Sequence, residues 1–249
     1  MRRVVVLSVA ALLWLGWVLS ARAQEDESRA VVAKAIKAMG GEKLLASLKA
    51  AHLKAKGKAH MPMEFPFTAE LLIQEPDKTK FVIDAEIMGM NIQVIRVVNG
   101  KKGWESVLGM TKELDAQDIE EAQAMMKVEQ VIGLVVLKDK RYKLSPLGEA
   151  KVEGRDAVGV QVTKKGVRDV NLFFDKQNHM LVKAEYRALD PNKQEVTQEK
   201  IFPEYKTLGS GLKVPAKMIL NNDGKRFIDA EITDVTIVER HDDSVFAKP

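Results

Sequence analysis

His52, His60, His179 and His241 are the side chains of this sequence best suited to hold a metal ion or move a proton near neutral pH. Their spacing supports neither task. The chain carries no H-x-x-x-H pair, no HExxH, no G-x-S-x-G, no G-x-G-x-x-G and no Walker pattern. His52 and His60 lie in and beside a strand pattern, where eight residues span about 25 Å, too far to share one ion. His179 falls in a turn and His241 beside Asp242 and Asp243, both read as solvent-exposed positions. The acid pairs Asp84/Glu86 and Glu120/Glu121 occupy polar faces, and among 35 acidic residues such pairs arise by chance. Cysteine is absent, which removes thiolate zinc sites, iron–sulfur clusters and thiol nucleophiles. The expectation is a protein with no catalytic residue, no resident metal and no cofactor. A secreted hydrolase stays open only if the fold assembles a nucleophile and base that the sequence does not display.

What does stand out is apolar and soft. Met61, Met63, Met88, Met90, Met125 and Met126 come in close pairs beside Phe65 and Phe67. Methionine adapts to irregular partners, so a Met-lined cavity suits a ligand of variable shape such as an acyl chain. Gap-filling in an ordinary core explains the count as well. The elements that carry these residues decide between the two.

Those elements are mostly strands. Leu53, Ala55, Gly57 and Ala59 alternate with Lys54, Lys56, Lys58 and His60, the two-residue period of a strand with one wet face. Phe67, Ala69, Leu71 and Ile73 repeat the pattern, as do Phe81, Ile83, Ala85 and Ile87, then Ile92, Val94 and Val98. Asn99-Gly100 is a hairpin dipeptide, and Trp104 begins a further strand. Glu153-Gly154, Lys165-Gly166, Asp190-Pro191-Asn192, Gly209-Ser210-Gly211 and Asp223-Gly224 mark later turns. They bound strands at 169–174, 180–189, 195–205, 213–221 and 226–238. Two helical segments interrupt the series. Residues 28–39 place Val32, Ala35, Ile36 and Met39 on one stripe, with Ser28 as N-cap, Gly40-Gly41 as stop and a short helical turn after it. Residues 115–138 start at an N-cap, Asp115, and end too apolar to lie in water, as one kinked or two successive helices. The fold class is mainly β (α+β): a curved antiparallel half-barrel of about 10–12 strands with helices covering the concave face.

Composition agrees, because 46% apolar and 30% charged residues are globular values rather than those of a disordered chain. Residues 1–3 are a short basic start, 4–20 an apolar run, and Ala21-Arg22-Ala23 a small-x-small site of the kind signal peptidase reads. Residues 1–23 are therefore read as a signal peptide and 24–249 as one domain in the periplasm or secreted. The run is at the short limit for a membrane span, and no second one follows. Cleavage removes 23 of the 249 residues and three of the 39 basic ones, leaving 36 basic against 35 acidic. A nearly neutral surface gives no electrostatic case for nucleic acid.

The stretch Val170-Asn171-Leu172-Phe173-Phe174-Asp175-Lys176, continuing through Met180-Leu181-Val182-Lys183-Ala184-Glu185, resembles the F-D-K-x-T-x-L-L-V-K hairpin of LolA-like outer-membrane lipoprotein-sorting proteins. So do Tyr205, Gly211-Leu212-Lys213-Val214-Pro215, Ala230-Glu231-Ile232-Thr233-Asp234-Val235 and the ending Asp243-Ser244-Val245-Phe246-Ala247-Lys248-Pro249. No arginine here, Arg96 included, matches the ligand-contact arginine of the shuttle proteins. The resemblance implies a half-barrel with a hydrophobic cavity under its helices and no catalysis. It implies a periplasmic carrier that binds acyl chains of lipoproteins or other lipids and moves them toward the outer membrane. Partners would be an acylated lipoprotein or lipid and an envelope membrane protein as donor or acceptor, with the carrier a monomer. A non-catalytic envelope sensor or protein-interaction module of the same fold is the alternative. Candidate lining residues, from the inward strand positions and the second helical segment, are Phe67, Leu71, Ile73, Phe81, Ile83, Ile87, Val94, Met125, Met126, Ile132 and Val135. The intact mass of the exported protein is expected to begin at Gln24, and retention of residues 1–23 would instead mark an uncleaved anchor.

Overall fold

The computed structural model describes residues 5–60 and 63–249, with side chains from Arg22 onward. The basic start at residues 1–3 and Met61 lie outside the described residues. Thirteen strands form one sheet in the order β6-β5-β4-β3-β2-β1-β13-β12-β11-β10-β9-β8-β7. The first meander runs β1 (Ala50–His60), β2 (Glu64–Gln74), β3 (Lys78–Ile87), β4 (Met90–Asn99), β5 (Lys102–Val107) and β6 (Met110–Glu113). Helix α3 (Ala116–Ile132) then carries the chain to the far edge. The second meander returns through β7 (Lys143–Val152), β8 (Arg155–Lys164), β9 (Val167–Asp175), β10 (Leu181–Leu189), β11 (Glu195–Thr207), β12 (Lys213–Asn222) and β13 (Lys225–Ile237). β13 pairs antiparallel with β1, so one ladder joins the two meanders. β6 and β7 do not pair with each other, and the sheet is an open half-barrel. It has one strand more than the upper end of the expected range, because residues 110–113 add a short edge strand.

The turns follow local chemistry. Glu153-Gly154 and Asp223-Gly224 each join paired strand ends with two residues, at φ 47° and 79° and at φ 47° and 74°. Both central positions are left-handed, the geometry that suits the twist of a two-residue hairpin. In the β9–β10 turn, the buried Asp175 accepts hydrogen bonds from the backbone N–H of Gln177 (2.7 Å) and Asn178 (3.1 Å). A carboxylate tying down two turn amides is the physical content of the F-D-K pattern.

Helix α1 runs Val5–Ala38 and α2 Glu42–Leu45. The expected N-cap at Ser28 is not found, because α1 continues through it. Ser28 Oγ donates to the Gln24 carbonyl at 3.0 Å, one turn back, and the side chain is buried. Asp115 does cap α3, accepting from the Asp118 N–H at 2.8 Å. After Ile132 the chain reverses at Leu134 (φ 67°) into a 3-10 turn, Val135–Lys138, giving the two successive helical pieces expected.

The main core lies between these helices and the second meander. Val32, Ala35 and Ile36 of α1, Met39 just after it, and Val128, Val131 and Ile132 of α3 pack with Leu144, Val160, Leu172, Phe174, Leu181 and Tyr186 from β7 to β10. Glu121 fixes the first half of α3 there, taking both terminal nitrogens of Arg168 (2.9 and 2.5 Å) and the Leu189 N–H (3.0 Å). The C-terminal Phe246 is buried against the other meander, its ring 5.8 Å edge-on from His241. His241 is therefore partly buried rather than solvent-exposed, and its Nε2 lies 3.1 Å from the Ala51 carbonyl. Tertiary contact with Phe246, invisible at the level of neighbouring residues, accounts for the difference.

Gly57 sits at the seam of the two meanders, paired with Phe67 on one side and Ala230 on the other. A Cβ there would lie 2.2 Å from the Asp229 carbonyl oxygen and 2.7 Å from Phe67 Cζ. Gly57→Ala is therefore expected to lower stability by about 1–3 kcal/mol, the range for an inserted atom that forces backbone to shift. A denaturant midpoint equal to wild type would refute this account of the seam.

Candidate functional site

The helices cover only part of the concave face. Over the first meander the inward side chains of β1 to β4 are left facing a hollow of about 670 Å³. The alternation read from sequence builds its wall: Leu53, Ala55 and Ala59 from β1, Phe65, Phe67, Ala69, Leu71 and Ile73 from β2, Phe81, Ile83, Ala85 and Ile87 from β3, and Ile92 and Val94 from β4. Met218 of β12 and Phe227, Ile228, Ala230, Ile232 and Val235 of β13 close it from the other side of the seam. Met39, Leu45, Leu48 and Ile132 roof it. Small residues near the seam leave the space that larger ones would fill, and the volume falls in the range of small-molecule sites.

Of the residues expected to line it, Phe67, Leu71, Ile73, Phe81, Ile83, Ile87, Val94 and Ile132 do so. Met125, Met126 and Val135 are not among its wall residues. The cavity lies beneath the C-terminal end of α3, and Met125 is seven residues, about 10 Å, back along the helix. Met125 and Val135 pack against the main core instead. Met126 stands one residue round the helix and is half-buried outside the wall. The paired methionines of the first meander are elsewhere: Met63, Met88 and Met90 are 47%, 80% and 60% exposed at hairpin ends. The wall is consequently aliphatic and aromatic, with Met39 and Met218 as its methionines.

Sequence reasoning missed the β11 to β13 side of the wall, although the inward alternation of Ile228, Ala230 and Ile232 marks it. It also missed charge in the wall. Lys200, on β11, lies between Val196 and Phe202 on the inward face, and its Nζ donates to the Glu129 carboxylate of α3. Burial works against the Lys200 charge, but the facing Glu129 carboxylate outweighs it and holds the ammonium above its ordinary range. Burial pushes the neighbouring Tyr186 phenol up. Tyr205, also in the wall, is pushed up by burial and donates its hydroxyl to the Leu181 carbonyl at 2.8 Å. Arg96 meets Asp118 of α3 at 3.3 Å and is absent from the wall.

His52 and His60 face separate carboxylates. His52 Nε2 is 2.9 Å from Glu70, and His60 is 2.9 Å from Glu64 and 2.8 Å from Asp229. Among the described residues no group of three His, Cys, Asp or Glu side chains could hold a metal ion. A second hollow of about 830 Å³ lies around Gly57, but Lys56, Lys58, Asp84, Lys217, Asp229 and Glu231 rim it, with Lys56 and Glu231 paired at 3.3 Å. Larger volume does not make it the better apolar site, since a hydrocarbon there would desolvate charges.

No family model matches the sequence, and no curated protein matches it. Solved structures do match in fold. A LolA superfamily protein from Nitrosomonas europaea superposes with a TM-score of 0.53 at 12% identity, over 89% of this chain and 97% of that one. A DUF1329 family protein from Desulfovibrio piger gives 0.53 at 12% identity, over 88% and 97%. A candidate outer membrane lipoprotein-sorting protein domain from Vibrio parahaemolyticus gives 0.50 at 13% identity, over 86% and 97%. The fold is LolA-like, as the hairpin and C-terminal patterns led one to expect.

Proposed function

We propose that the protein is a non-enzymatic carrier that buries acyl chains of lipoproteins or other lipids in the cavity under α3. The observation that carries this reading is an almost wholly apolar hollow that the protein's own helices cover only in part. An acyl chain of about 14 methylenes gains on the order of 10 kcal/mol on leaving water, at roughly 0.8 kcal/mol per CH₂, so it needs such a host for transit. Phe67, Leu71, Ile73, Phe81, Ile83, Ile87, Val94 and Ile132 would meet the chain. Loading and release require helix-closed and ligand-filled states of similar free energy. In this reading the C-terminal end of α3 moves, exchanging the burial of Val128, Val131 and Ile132 in the main core for burial of the ligand.

The reading extends to location and traffic. Residues 1–23 would be removed near Ala23, and 24–249 would act as one monomeric domain in the periplasm. It would receive cargo from an envelope membrane protein and pass it toward the outer membrane. Likeness of fold to a candidate lipoprotein-sorting domain supports this direction of travel.

Purified protein is expected to take up a fluorescent fatty acid or lipopeptide saturably, with one site per chain. Ile83→Trp, which fills the hollow from β3, is expected to weaken uptake about tenfold while leaving the melting temperature near wild type, since the site is open rather than close-packed. Absence of saturable uptake, together with no co-purifying acyl species by native mass spectrometry, would sink the carrier reading.

A further inference from the structure

Lys200 is out of place by the rule that builds the rest of the cavity. Most inward positions on these strands carry apolar side chains, yet here an ammonium stands in the wall, its side chain 15% exposed; Lys213, at the start of β12, is the wall's other lysine and is without this carboxylate partner among the described ion pairs. Its neighbours across the sheet are Ala184 on β10 and Leu220 on β12, which offer no counter-charge. Among the described residues, Glu129 of α3 is the carboxylate paired with it. The two partners differ in solvation: Glu129 is 52% exposed, Lys200 far less.

That asymmetry makes the pair exchangeable from one side only. A buried ammonium cannot give up its counter-ion without a heavy desolvation cost, whereas a half-exposed carboxylate can return to water cheaply. Any ligand that brings its own anion to Lys200 can therefore displace Glu129. A neutral ligand cannot.

We infer that Lys200 is the headgroup subsite of the cavity, selecting amphiphiles with one acyl chain and an anionic head, carboxylate or phosphate, which take the place of the Glu129 carboxylate. The chain's own Glu129 already shows that an oxyanion fits there. Because Glu129 lies on α3 about one turn before Ile132, which roofs the cavity, headgroup binding also removes one of the contacts that hold the end of the helix over the hydrocarbon. The inference rests on the carrier reading and narrows it to a ligand class.

The test competes a fatty acid, an alkyl phosphate and a fatty alcohol of equal chain length against an uncharged fluorescent alkyl probe. The acid, the phosphate or both are expected to bind at least about tenfold tighter than the alcohol. Preference for one of the two anions identifies the headgroup. Lys200→Met should collapse the anion-to-alcohol ratio to about one, Lys200→Arg should keep it, and Glu129→Gln, which weakens the internal competitor, should raise it several-fold. If Lys200→Met does not fold, the Glu129→Gln and Lys200→Arg ratios carry the decision. Equal binding of acid and alcohol by wild type, or a Glu129→Gln ratio that does not rise, overturns the headgroup role and leaves the carrier reading standing. If no amphiphile displaces the probe and the probe itself does not bind, both fall together.

Discussion

The ladder between β1 and β13 is the contact on which the rest of the molecule depends. It pairs the first strand of the sheet with the last, from Ala51 opposite Ile237 to Ala59 opposite Ile228. Without it the chain is two separate meanders, each with a bare apolar face. With it they become one sheet whose inner surfaces look at a common interior. The register shift at Lys54/Ala55 adds local twist at this seam, as bulges do. Gly57 lets the backbones and the Phe67 ring approach where no Cβ would fit. Such a pairing between distant segments carries a larger loop-closure cost than the local hairpins on either side of it.

Once the sheet is continuous, its concave face is divided unequally. Over β7 to β10 the helices press apolar stripes into Leu172, Phe174 and Leu181, which are essentially inaccessible to solvent. Over β1 to β4 nothing comparable arrives, and Phe81 remains 37% exposed. One half is close-packed and the other is hollow. The same physical drive, removal of apolar surface from water, is satisfied internally in the first case and left unmet in the second. The LolA-like fold accommodates this division because α3 connects the two free edges of the sheet and must cross its concave side.

Much of this was legible from local pattern. Two-residue alternation located the walls of β1 to β4, since a pleated strand admits no other assignment of faces. Glu153-Gly154 and Asp223-Gly224 marked turns because few residue pairs accept two left-handed positions. Asp115 marked the start of α3 by its side-chain oxygen. Ser28 misled, since serine serves equally well as an N-cap and as a side chain bonding back one turn, and only the residues before it decide which. The methionine pairs misled for a related reason: Met88 and Met90 flank a tight Gly turn, and a hairpin end is driven outward whatever its side chains prefer.

Neighbours within a few residues were enough to set strand faces, turn types, the start of α3, the absence of thiol chemistry and the resemblance carried by the Asp175 turn. The tertiary structure alone decided which faces meet. It placed β13 beside β1, covered one half of the hollow and left the other open. It set the end of α3, rather than Met125 or Met126, over the cavity. It also brought Glu129 to Lys200 across 71 residues of chain. Periodicity reports the environment a side chain needs, averaged over one element, whereas the partner that supplies it lies on another element whose position is fixed by long-range pairing.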